Sequence, residues 1–174
     1  MAGRLAVASG SVTGLRGFDL AVLPAWAPNL HPLVVHFPIA LLTAALVADL
    51  VSLLLPRATW ADTTAVCLYP AGAASAFAAY LSGRQAAAGV LVPGMAQTLV
   101  RDHWNWALAT TICFALVATT RLGIALSGRR PPFWVRAGAV AAGCAGVLML
   151  VQTGERGARL VYEFGVGVLP RIPR

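Results

Sequence analysis

Charge is what this chain has least of. Of 174 residues only 11% are charged, against 59% hydrophobic, and the mean hydropathy is +0.76. A soluble domain of this length carries far more charge, whereas a bilayer solvates an apolar exterior, so the composition points to a single membrane domain. Lysine is missing altogether: all 13 basic residues are arginine, against 6 acidic residues, for a net charge of +7. Most of these arginines stand just beyond apolar runs, where they can snorkel to anionic headgroups. A solvated basic patch is lacking, which argues against nucleic acid and for the lipid bilayer as the partner.

Cysteine is scarce and badly placed for chemistry. Cys67, Cys113 and Cys144 all lie inside apolar segments, are odd in number and form no CxxC pair. They read as small packing hydrophobes, with no disulfide framework and no thiolate metal site. The N-terminus lacks the continuous apolar core of a cleaved signal peptide, because Gly10, Ser11, Thr13 and Gly14 interrupt it. Residues 1–30 read instead as an irregular or interfacial lead-in, with Trp26 and its apolar neighbours along the membrane surface and Pro24 and Pro28 preventing a long helix. Internal repeats, a catalytic triad, a phosphate loop, a paired-carboxylate site and the HxxxH and CxxCH motifs are all missing. No enzyme is assigned.

Four apolar runs are present, spanning about residues 33–55, 63–81, 103–126 and 133–152. Each has about 20 residues, enough to cross the hydrocarbon at about 1.5 Å per residue. Asn29 is placed to cap the first, and Pro32 suits its first turn, where a missing N–H costs nothing. Pro38 and Pro70 are candidate kinks, and Pro56 with Arg57 ends the first span. Small residues line the second span over 71–76, and Ala139, Gly143 and Gly146 line the fourth, allowing close helix approach. A short interfacial helix is expected over 94–100, and the glycines after Gly154 suggest a turn that folds the tail back. The expected fold is an all-α, integral membrane four-helix bundle with both termini on one side. It comprises the lead-in at 1–30, a membrane domain at 31–153 and an extramembrane tail at 154–174.

The face bearing both termini is called side A, and the opposite face side B. Side B holds Arg57, Arg121, Arg129, Arg130 and Arg136 in or beside short loops, which makes it the cytoplasmic face and the termini extracytoplasmic. Most polar chemistry converges on side A. His36 enters the first span there, and His103 opens the third at similar depth. His31, Asp102, Glu155, Arg156 and Tyr162 belong to the same end. Imidazoles from two facing helices can supply both axial ligands of a haem iron. His31 and His36 are about 140° apart around a helix, so one regular helix does not aim both at one metal; His31 is expected at the surface or capping a loop. Taken on spacing alone, a cofactor-free polar cluster that fastens the helix ends is the first reading of the same residues, with haem ligation, a non-haem metal and proton or ligand handling as the others. Trp104, Trp106 and Tyr162 suit an interfacial aromatic belt. Deeper, Asp49 and Arg121 both approach side B and are placed to form an intramembrane ion pair.

The run His31-Pro32-Leu33-Val34-Val35-His36-Phe37-Pro38-Ile39-Ala40-Leu41-Leu42, followed by Asp49-Leu50, resembles a bacterial membrane family known as domain of unknown function 2231. Asp102-His103-Trp104 and Leu160-Val161-Tyr162 with Gly165-Val166-Gly167-Val168 extend the resemblance over about residues 30–168. It implies a four-span, multi-pass protein of the bacterial inner (cytoplasmic) membrane and brings no settled activity. Relatives joined to cytochrome-like domains imply a role beside electron transfer. Many members carry a histidine where this chain has Phe164, so a ligand at that position would be lacking here. The leading expectation is a membrane subunit serving electron transfer, binding haem b through His36 and His103 and working with a membrane or periplasmic redox partner. The alternatives are a cofactor-free scaffold or anchor subunit of a larger complex, and a small transporter or metal handler.

Overall fold

The computed structural model describes residues 29–129 and 131–168. The interfacial lead-in, Arg130 and the last six residues lie outside them. The described residues form helices and connecting turns with no strand: α1 (His31–Val34), α2 (His36–Leu54), α3 (Thr59–Gly89), a 3-10 turn (Gly94–Ala96), α4 (Gln97–Leu126) and α5 (Phe133–Tyr162). The segments His31–Leu54, Thr59–Gly89, Gly94–Leu126 and Phe133–Tyr162 are each long and apolar enough to cross a membrane. They alternate in direction. Helix α2 packs on α3 and α5, and α4 packs on the same two, which closes a ring of four.

Local sequence explains the helix ends. The Asn29 side-chain carbonyl accepts the backbone N–H of His31 at 3.1 Å, and Pro32 fills the first turn of α1. Val35 joins α1 to α2 with helical dihedrals, φ −63° and ψ −22°. Pro38 has no N–H to give back to Val34, so the ladder is weakest here. At the far end, the Gly165 N–H reaches the Val161 carbonyl and the Val166 N–H reaches the Leu160 carbonyl. With Gly165 at φ +65°, the chain reverses in a left-handed turn that satisfies these carbonyls, and Val166 packs near Leu160 to close the helix end.

Two of the helices outrun their expected lengths. Helix α3 continues past Ser82-Gly83-Arg84 to Gly89, and α5 continues through Gly154 and Gly157 to Tyr162. The turn expected from the tail's glycines comes at Gly165, after α5 has run through Gly154 and Gly157. Those glycines are tolerated because they sit in lengths of helix whose other residues are good helix formers. The expected short helix over 94–100 is a 3-10 turn that runs directly into α4.

Association in lipid gains little from apolar burial and relies on close packing and polar contacts. The interior is built accordingly. Small residues, among them Ala45, Ala65, Ala76 and Ala118, leave room for Leu42, Tyr69 and Phe114, all fully buried. Three glycines seat these larger side chains. Leu42 rests on Gly72, the Tyr69 hydroxyl on Gly143 and the Phe114 ring on Gly146. The outside carries exposed Leu33, Phe37, Val47, Leu116 and Leu148, as a lipid-facing surface should.

Candidate functional site at the two ends of the bundle

Polar groups collect at both ends of the interior, with an apolar layer between. On side A, α1 aims His31 inward. Its Nδ1 lies 3.1 Å from Ser82 Oγ on α3. That hydroxyl already donates to the Ala79 carbonyl at 2.9 Å, so it accepts from the imidazole, and Nδ1 carries the proton. On α4, His103 Nδ1 lies 3.0 Å from the Thr153 carbonyl on α5, and a carbonyl can only accept. In the neutral rings both Nε2 atoms therefore hold lone pairs. The two rings stand 6.5 Å apart between centroids, at 79° to one another. Glycine backbones flank them: a Cβ added to Gly83 would lie 2.9 Å from His31 Cε1, and one added to Gly157 would lie 3.2 Å from His103 Cε1.

The pairing differs from the one expected from spacing. His31, not His36, meets His103; the His36 side chain is exposed. The physical cause is helical phase: Val35 keeps helical dihedrals, φ −63° and ψ −22°, so His31 and His36 stay about 140° apart around the axis, and with His31 facing α3 and α4 His36 faces outward. Arginines surround the pair: Arg84 stacks over the Trp104 ring at 5.0 Å, and Arg156 stacks over the Trp106 ring at 4.8 Å. The Arg156 guanidinium also bonds Gln152. Asp102, Glu155 and Tyr162 lie on the exposed face of the same end and do not join the histidines. Trp104 and Phe164 pack against the small cluster of Ala96, Val100 and Leu160.

On side B, Arg121 is 1% exposed and Asp49 2%. Arg121 Nη2 lies 3.0 Å from Asp49 Oδ1 and 2.7 Å from Asp62 Oδ1. Arg136 on α5 bonds the Ser52 carbonyl and lies 3.3 Å from Ser52 Oγ, while that hydroxyl donates to the Asp49 carbonyl. Each of the four long helices thus places one charge at this end. Sequence spacing pointed to Asp49 with Arg121 and missed Asp62, Arg136 and Tyr69. Asp62 was missed because it sits just before the apolar run of the second span. The signal that finds it is its seven-residue spacing from Tyr69, which puts both on one face of α3.

Three buried side-chain atoms at this end have no hydrogen-bond partner among the described residues: Asp49 Oδ2, Tyr69 OH and Arg121 Nε. The Tyr69 hydroxyl faces the Asp49 carboxylate. No group of three or more His, Cys, Asp or Glu placed to hold a metal ion occurs among the described residues. The clefts along α2–α3 and α4–α5 are apolar, lined by residues such as Ile39 and Leu68 or Leu116 and Trp134. They read as lipid-facing grooves.

A family model described as a predicted membrane protein (DUF2231) matches residues 27–170. Comparison with curated proteins and with solved structures gave no match.

Proposed function

The chain belongs to this DUF2231 family of predicted membrane proteins, and from that starting point we propose that it is a membrane subunit serving electron transfer, whose working site is the His31–His103 pair. The observation that carries this reading is the orientation of the two imidazoles, each tied to the protein through Nδ1 and so left with a lone pair on Nε2. Metal-ligating histidines are commonly held in this way, by a second contact that fixes tautomer and ring. The ligand count favours haem over a bare ion. A tetrahedral ion needs three or four protein ligands, whereas haem iron brings four porphyrin nitrogens and asks the protein for only two. The two rings stand 6.5 Å apart between centroids, near enough that both could serve one group held between α1 and α4.

When bound, haem b would supply a one-electron couple near the side A surface. His31 and His103 would hold the iron, with Ser82 and the Thr153 carbonyl fixing the rings. Gly83 and Gly157 offer bare backbone beside the rings, and Arg84 and Arg156 place cations where a haem's carboxylates need partners. The orientation that goes with this reading is a bacterial inner membrane protein, with side B cytoplasmic and side A meeting a membrane or periplasmic redox partner.

The test is a reduced-minus-oxidised visible spectrum of detergent-purified protein from haem-sufficient cells, with His31→Ala, His103→Ala and His36→Ala beside it. The expected result is a sharp haem b band that vanishes in the first two variants and survives in the third. A flat spectrum overturns the reading. It would favour the cofactor-free scaffold, for which the close seating of Gly83 on the His31 ring is the supporting observation.

A further inference from the structure

The interior polar groups lie on one line. The inward face of α4 carries His103, Thr110, Phe114, Val117 and Arg121 at steps of 7, 4, 3 and 4 residues, which places them above one another along the bundle axis. Thr110 Oγ1 lies 3.0 Å from Thr153 Oγ1, and the Thr153 carbonyl meets His103, whose ring faces His31. This gives a side A limb. The side B limb runs from Asp62, with a side chain 49% exposed, past Arg121 to Asp49, 3% exposed, and on to Tyr69. Between the limbs stands the Phe114 ring, stacked on Tyr69 at 6.3 Å and seated against Gly146.

We propose that the bundle interior is a proton path closed at one layer: Asp49 and Tyr69 exchange protons with side B by way of Asp62 and a retained water, and Phe114 separates them from the Thr110–Thr153–His103–His31 limb on side A. The water is called for by the three unpartnered atoms, Asp49 Oδ2, Tyr69 OH and Arg121 Nε. They offer an acceptor, a hydroxyl and a donor, which is the partner set of a buried water. The facing charges are balanced: Asp49 from α2, Asp62 from α3, Arg121 from α4 and Arg136 from α5. Two fixed guanidiniums and a tightly packed interior reject metal cations, while a hydrogen-bonded chain passes protons without a pore.

The step balances in protons alone. Asp62 takes a proton from hydronium at side B, leaving water. Its carboxyl O–H then gives that proton through the retained water to Asp49 Oδ2, restoring the Asp62 carboxylate. With Phe114 in place the proton stops there and returns by the same route; where the ring is removed, a water in the vacated space takes the Tyr69 hydroxyl proton to Thr110 Oγ1 as the Tyr69 oxygen accepts the one held by Asp49. This inference stands apart from the haem reading and needs no cofactor.

The experiment is proton flux into proteoliposomes under a valinomycin-set potassium potential, followed with a trapped pH dye. Phe114→Ala is expected to conduct at least tenfold faster than wild type. Adding Tyr69→Phe, which keeps the ring and removes only the hydroxyl, is expected to return the flux to the wild-type rate. Phe114→Leu carries the same comparison if the alanine variant does not give a monodisperse protein. Flux at the wild-type rate in the opened variants overturns the proposal, as does flux that persists undiminished when Tyr69→Phe is added.

Discussion

Removing the Arg121 guanidinium would leave the buried Asp49 carboxylate unpaired, facing that of the half-exposed Asp62. Asp49 and Asp62 both lie within 3.0 Å of its Nη2, and breaking a buried pair by deleting one partner costs about 3–5 kcal/mol. Arg121→Met is therefore expected to lower stability by that amount, read from denaturation in detergent. Pairing it with Asp49→Leu is expected to recover most of the loss, because two apolar side chains replace a buried ion pair at little cost. Packing gives a second prediction at this scale. A Cβ at Gly146 would stand 2.8 Å from Phe114 Cζ, and the ring is fully buried. Gly146→Ala should destabilise by about 1–3 kcal/mol through overpacking, in the same assay. Asp49 and Arg121 could be matched from sequence because each stands alone in an apolar run. Asp62 could not, since a carboxylate at the edge of a span looks like any solvated loop acid. The histidine partner was misplaced for a related reason. Spacing shows that His31 and His36 diverge on one helix, but not which of them faces His103; the packing of α1 against α3 decides that.

At the scale of the element, helix existence was legible in the four apolar runs, while helix length was not. Gly154 and Gly157 look like breakers, yet α5 runs through both to Tyr162. The stop falls at Gly165, whose φ of +65° a side chain resists. The distinguishing feature is the residue after it: Val166 returns its N–H to Leu160 and its side chain to the Leu160 cluster, which neither earlier glycine is followed by. Gly165→Ala should cost about 1–2 kcal/mol, the penalty of a left-handed conformation. The expected readout is local: faster amide exchange at the substituted position and at Val166, with the middle of α5 unchanged.

For the whole molecule, four alternating spans put the start of α1 and the end of α5 on one face. Reporter fusions after Gly128 and after Val168 should therefore report opposite compartments, and under the proposed orientation the Gly128 fusion is the one expected to report the cytoplasm. Two fusions reporting the same compartment would contradict the four-span arrangement.

The division of charge at side B also bears on how the protein is made. The first hairpin, α2 with α3, enters the bilayer carrying Asp49 and Asp62; the second, α4 with α5, carries Arg121 and Arg136. The ion pairs found at Arg121 cross from one half to the other, so each half is an incomplete insertion product until the other arrives. A nascent chain stalled after the first hairpin would display unmatched acids to the membrane's quality-control proteases. Synthesised as two separate fragments, the halves should accumulate only when produced together.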